Sequence, residues 1–201
     1  MRYEEFTQQV IKEYRERGLA DGSSIPDIDL YIEQMVSCLN EELSLYAKDG
    51  EGPITKGMIS NYTKHKMIPG PEGKRYTKNH CLFMLMVYYL KSSFSMDQVQ
   101  RLMRPVLANY DSAWDDDMDV ASYYREIIAD TMAREESFGA DIQERIRGIK
   151  HFLGTMDSDD DISELLLLIT SLVLRSNAER FLAERLLDEY FPDAKTAKKQ
   201  R

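Results

Sequence analysis

The chain has 201 residues, 43% hydrophobic and 30% charged, with 35 acidic against 26 basic side chains and a formal net charge of −9. That length and composition describe a globular chain with a real core and exclude global disorder. The acidic balance excludes indiscriminate coating of nucleic acid, yet it leaves room for a local cationic site, because physiological salt screens charges further off than about 8 Å.

In chain order, Phe6, Val10, Ile11 and Tyr14 mark the apolar side of a first helix from about Glu4 to Gly18. A turn-rich connector, Asp21 to Pro26, follows. Leu30, Ile32, Met35, Val36, Leu39, Leu43 and Tyr46 keep a helical period that predicts a second helix over Ile28–Ala47, with Asp27 or Asp29 as its cap. Lys48 to Gly52 is a loop.

The next stretch, Ile54 to His80, holds six basic residues and one acidic one, a formal charge of +5 that leaves −14 on the rest of the chain. Thr55 is placed to cap a third helix, on which Met58, Ile59 and Tyr62 form the inward stripe. Lys56, Ser60, Asn61, Lys64 and His65 are left on the outward face, all able to meet phosphates or base edges. This helix is expected to stop near Met67 and Ile68, because Pro69, Gly70, Pro71 and Gly73 come next. Lys74, Arg75 and Tyr76 read as a short extended piece before another helix begins at Thr77. Helix, tight loop, cations at the loop exit and a second helix outline a winged helix-turn-helix with a short β wing. Its surface suits a polyanion; a solvated lysine-rich loop is the bland alternative.

From Thr77 to Lys91 the residues Cys81 to Leu90 are apolar on every side, which predicts central burial rather than a ligand pocket. Ser95 with Gln98 makes a capping box for a fifth helix carrying Met96, Val99, Leu102, Met103 and Val106. Pro105 is its candidate kink, and Arg101 and Arg104 fall on a face expected to be solvated. Asn109 to Asp119 reads as a linker. Its aspartates, Asp115 to Asp117, lack the alternation and glycine of a calcium loop, so they fit a helix N-terminus better, as do Asp157 and Asp159 to Asp161. Helices are expected over Asp119–Arg134 and Ala140–Leu153, with a bend at Gly139, and over Asp161–Tyr190. The last is apolar on so many sides that self-association is expected to cover it. Three regions follow: 1–24, an N-terminal helix and connector; 25–110, a helix-turn-helix domain; and 111–201, a helical region for dimerisation.

The two cysteines, Cys38 and Cys81, have no CxxC spacing and sit on apolar helical faces, so they read as buried thiols rather than metal ligands. His65, His80 and His151 fall in separate elements with no HExxH, and there is no P-loop, GxGxxG or GxSxG. Hence no catalytic residue, no metal and no cofactor is expected, and the chain is not expected to be an enzyme. The charged N-terminus and the shortness of every apolar run predict a cytoplasmic protein without a membrane span.

Several phrases carry a family resemblance. MISNYTKHKMIPGP resembles the second helix and wing entry of MerR-type winged-helix regulators, KRYT resembles their wing exit, and FSMDQVQRLM the start of a later helix. On that likeness Tyr62, Ile68, Pro69, Lys74 and Tyr76 match the pattern, whereas Ser60, Asn61 and Lys66 replace its arginine, first tyrosine and glycine. A wider match, over roughly residues 25–110, is to the bacterial family of domain of unknown function 1836, through PDIDLYIEQM, ITKGMISNYTK and RYTKNH. The MerR likeness implies a transcriptional regulator that binds double-stranded DNA as a homodimer. Lys56, Lys64, Lys66, Lys74, Arg75 and Lys78 would then hold phosphates, while Ser60, Asn61 and His65 approach base edges. No small-molecule effector is indicated. The competing expectation, favoured by the overall acidity, is an all-helical protein-interaction module.

Overall fold

The computed structural model describes residues 3–110, 120–155 and 161–193. Seven α-helices account for most of them: α1 (Tyr3–Arg17), α2 (Ile32–Glu42), α3 (Lys56–Lys64), α4 (Lys78–Lys91), α5 (Met96–Tyr110), α6 (Val120–Thr155) and α7 (Asp161–Tyr190). A short 3-10 turn, Ser44–Tyr46, follows α2.

Helix α4 is the centre of the molecule. His80 to Leu85 and Val87 are all buried, as a helix apolar all round must be. Around it lie Met35 and Leu39 of α2, Ile59 and Tyr62 of α3, Val99 and Met103 of α5, and Tyr124 and Ile128 of α6. A second, smaller cluster joins Ile142 and Ile146 of α6 to Leu168 of α7, with Tyr3 and Ile11 of α1 packed against it. Helix α6 therefore spans both cores.

The expectation of a mainly α chain, a winged helix-turn-helix with a short β wing plus an all-helical C-terminal extension, is corrected in its wing. Mainly α holds, but among the described residues there is no strand, only isolated antiparallel bridges such as Leu30 with Tyr76 and Glu72 with Arg75. The reason is local. Pro69 and Pro71 have no N–H to give to a ladder, and Tyr76 exchanges both its backbone bonds with Leu30, at 2.8 Å each, one residue before Thr77 caps α4. No length of chain is left to pair.

Four helix boundaries also differ from expectation. Helix α2 begins at Ile32 rather than near Ile28, because Leu30 is committed to Tyr76; its first turn is closed by Gln34, whose side chain accepts from Tyr31 N–H at 2.9 Å, and not by Asp27 or Asp29. It ends at Glu42 rather than Ala47, where the 3-10 turn takes over. Helix α3 stops at Lys64, short of Met67 and Ile68, which are buried beyond a reversal of the chain. Helix α6 runs unbroken for 36 residues through Gly139 rather than dividing there into two helices. There α1 crosses it: a Cβ on Gly139 would lie 3.6 Å from Ile11 Cγ2. Pro105 likewise stands inside a continuous α5. Trp114 and the aspartates Asp115 to Asp117, Asp157, Asp159 and Asp160 lie outside the described residues.

Two turns set the approach to α4. Gly22 has φ +72° and an added Cβ would come within 2.5 Å of Leu82, so only glycine fits. Next to it, Ala20 N–H donates to the Tyr89 hydroxyl at 2.7 Å while the Tyr124 hydroxyl donates to Ala20 O at 2.5 Å. One residue just ahead of the connector thus fastens α4 to α6.

Candidate nucleic-acid interface

Helix α3 is capped as expected, Thr55 Oγ1 accepting from Met58 N–H at 3.2 Å. Ile59 and Tyr62 are buried, so by helical geometry Lys56, Ser60, Asn61 and Lys64 share the opposite, exposed face. The helix ends in a Schellman turn: Met67 N–H reaches Tyr62 O at 2.9 Å and Lys66 N–H reaches Thr63 O at 3.0 Å. The residue that closes this motif is Lys66, held at φ 51°, a left-handed conformation that glycine ordinarily supplies. His65 Nδ1–H donates to Asn61 O at 2.8 Å, and Gln100 of α5 donates to His65 O at 2.7 Å, so the last carbonyls of α3 are served and its end is fixed to α5.

The loop beyond is a two-residue hairpin. Glu72 and Arg75 exchange backbone bonds of 3.0 and 2.9 Å, and the two residues between them, Gly73 at φ 53° and Lys74 at φ 71°, have the positive φ pair of a type I′ turn. Lys74 is exposed at its tip. The base of the loop is held by His80, which is fully buried: its Nδ1 accepts from Thr77 N–H at 3.1 Å, which leaves Nε2–H to donate to Gly70 O at 2.8 Å. On the other flank Asn40 binds Ile54 twice, accepting from its N–H at 2.8 Å and donating to its O at 3.0 Å, and so sets the start of α3. Neither support was foreseen. The TxxH spacing of Thr77 and His80 departs from the usual Glu or Gln of a capping box, and Asn40 acts 14 residues away.

The nine expected contact residues do not all stand alike. Ser60, Asn61, Lys64, His65, Lys66 and Lys74 are exposed. Lys56 is exposed too, but its ammonium lies 2.6 Å from the Glu33 carboxylate, and that hydrogen bond holds Glu33 below the usual carboxylate range. Arg75 is half-buried, its guanidinium stacked 3.8 Å from the centroid of the Tyr31 ring and 3.4 Å from Asp29 O. Lys78 instead borders a hollow with Asp21, Asp27, Asn79 and Arg125, among acidic neighbours. Arg101, expected to be solvated, is nearly buried: it donates to Phe191 O at 2.7 Å and pairs with Asp188 at 2.9 Å, closing the C-terminus of α7. Both cysteines are free; Cys81 is buried as expected, which pushes its thiol up to about 12, whereas Cys38 is only half-buried. Among the described residues no group of His, Cys, Asp and Glu is placed to hold a metal ion, and no helix is long and apolar enough to cross a membrane.

Fold and site together define an all-α protein that presents a short cationic helix and an adjoining hairpin tip. The chain belongs to a family described as a domain of unknown function, DUF1836, whose model matches residues 21–127. The match begins beside the Ala20 fastening and ends just past Tyr124, so it takes in the α4-centred core and the start of α6. No curated protein and no solved structure matches the chain.

Proposed function

We propose that the protein is a DNA-binding transcriptional regulator that docks the exposed face of α3 in a groove of duplex DNA and rests the hairpin tip on the adjacent backbone. The observation that carries this reading is the conformation of two lysines. Of the three non-glycine residues at positive φ among the described residues, Lys66 and Lys74 both belong to the cationic surface. Each such residue costs about 1–2 kcal/mol relative to a right-handed conformation, and strain of this kind gathers at sites of function. Glycine would relieve it at either position, and only the charge would be lost. Lys64, Lys66, Lys74 and Arg75 then hold phosphates, and Ser60, Asn61 and His65 face base edges. The likeness of residues 58–71 to the second helix of MerR-type regulators supports the same assignment, though without a β wing.

The reading predicts that affinity for duplex DNA, followed by fluorescence anisotropy, falls with salt at a log–log slope of about −3 to −4 for four phosphate contacts. Lys64→Ala with Lys74→Gly, both exposed positions, should lower that slope by about 2 and leave the thermal transition in place. Binding that ignores salt, or that survives the double substitution unchanged, would return the chain to the alternative of an all-helical protein-interaction module.

A further inference from the structure

Beyond its fully buried part, the apolar run of α4 borders a hollow. Met86, Tyr89 and Leu90 line it half-buried, and the facing walls come from α5, α6 and Phe191, just past the end of α7. Burial without a pocket thus holds for Cys81 to Leu85 and not for these three. The hollow measures about 490 Å³, within the roughly 300–1,000 Å³ of small-molecule sites. Its walls are tied together from behind. Ala20 fastens Tyr89 of α4 to Tyr124 of α6, Arg101 of α5 holds Phe191 O at 2.7 Å, and α5 follows α4 after only four residues. These fastenings set the spacing of the walls, so the hollow is preformed rather than a gap that side chains close.

We infer that this hollow is a binding site for an uncharged aromatic small molecule. Three features select that ligand. The first is charge: among the described residues no acidic or basic side chain lines the hollow. The hydroxyls of Tyr89 and Tyr124 are committed to Ala20, outside the wall, which leaves Tyr123, 48% exposed, as the polar side chain at the mouth. A charged ligand would be buried with no partner of opposite sign, and water would lack the about two to four partners it needs. The second is the wall itself. Tyr89, Tyr123, Tyr124 and Phe191 bring four rings and Met86 and Met103 two thioethers, which give an aromatic guest ring–ring and sulphur–ring contacts. The third is size. A sphere of this volume is about 10 Å across, no wider than one helix at about 10–12 Å, so the hollow takes a small molecule whole and not an element of another chain.

N-phenylnaphthylamine, an uncharged aromatic probe whose fluorescence rises in apolar surroundings, tests this on the full chain without DNA. The wild type should bind one probe per chain, saturably and at micromolar concentration, and the bound probe should raise the midpoint of thermal unfolding, as a ligand of the folded state does. Ile127→Glu puts a carboxylate on the wall at a position already 44% exposed, so the fold tolerates it, and it should weaken binding at least about 10-fold. Val106→Trp, which fills the hollow instead of charging it, should do the same. Leu166→Glu, at the far end of α7 and 65% exposed, should leave binding unchanged. No saturable binding, as when another part of this chain fills the hollow, overturns the inference. So does a probe that lowers the unfolding midpoint, or an Ile127→Glu protein, folded by circular dichroism, that binds as the wild type does. A Leu166→Glu protein that loses binding overturns it too, by moving the site to the surface of α7. Because no nucleic acid is present, failure here and failure of the DNA reading are told apart.

Discussion

Lys66 shows how much a single residue discloses. It closes the turn after α3 in the conformation that glycine ordinarily supplies, φ 51°, although it carries a Cβ. The Schellman bonds around it, from Met67 to Tyr62 and from Lys66 to Thr63, hold the geometry against the clash of a Cβ with its own backbone. Lys66→Gly should therefore stabilise the fold, by about 0.5–1 kcal/mol once the extra freedom of glycine in the unfolded chain is subtracted. Urea unfolding measures that gain. On the proposed DNA reading, the same variant should lower the salt slope of duplex binding by about 1, since that reading gives Lys66 one phosphate contact. Stability and affinity moving in opposite directions is the signature of a residue retained for its charge. Stability that falls instead would mean the lysine stem contributes packing, and the strain argument would lose its basis.

At the scale of elements, the inward and outward faces of α3, the burial of α4 from Cys81 to Leu85 and the Ser95–Gln98 box of α5 were legible in the sequence, because each is a matter of local period or a local cap, whereas Met86, Tyr88, Tyr89 and Leu90 of the same apolar run are only half-buried. What was not legible depends on distant partners. The wing fails to form strands because Tyr76 is spent on Leu30, 46 positions earlier in the chain, and Arg101 is drawn from solvent by the C-terminus of α7. Gly139 misled for a related reason: glycine ends a helix only where the backbone uses its freedom, and here α1 packs across a continuous helix. That leads to a prediction. A Cβ at Gly139 meets Ile11 at an ordinary van der Waals distance of 3.6 Å, and one at Gly148 meets nothing within 4 Å. Replacing an interior helical glycine by alanine gains about 1 kcal/mol, so Gly139→Ala with Gly148→Ala should raise the midpoint of thermal unfolding by about 4–8 °C for a chain of this size. Differential scanning calorimetry reads it; no rise, or a fall, would show that α6 needs its glycines for a conformation other than the continuous helix.

For the whole molecule, the contact between its two cores rests on α6, and the seam where α6 joins α4 is tied by hydroxyl groups. Tyr89 and Tyr124 meet at the two ends of one peptide residue, Ala20, and burial raises both phenols, Tyr89 to about 12 and Tyr124 further in the same direction. A phenol raised above its ordinary value of 10.0 favours the folded state only while it keeps its proton. Below pH 10 both states are protonated and nothing is lost. Above it the unfolded chain releases protons that the folded chain retains, so stability falls as pH rises, by up to about 1.4 kcal/mol per unit for each such tyrosine until its folded value is reached. Tyr124→Phe should therefore cross the wild type. Near neutrality it loses the bond to Ala20 O and is less stable by about 1–3 kcal/mol, but between pH 10 and 12 its stability declines less steeply, because its own suppressed ionisation is absent while those of other buried phenols, Tyr3, Tyr46 and Tyr89 among them, remain in both proteins. Denaturant midpoints at pH 7 and pH 11 suffice. Parallel losses in both proteins would place the alkaline sensitivity elsewhere, and with it the claim that this hydroxyl seam joins the family core to the C-terminal helices.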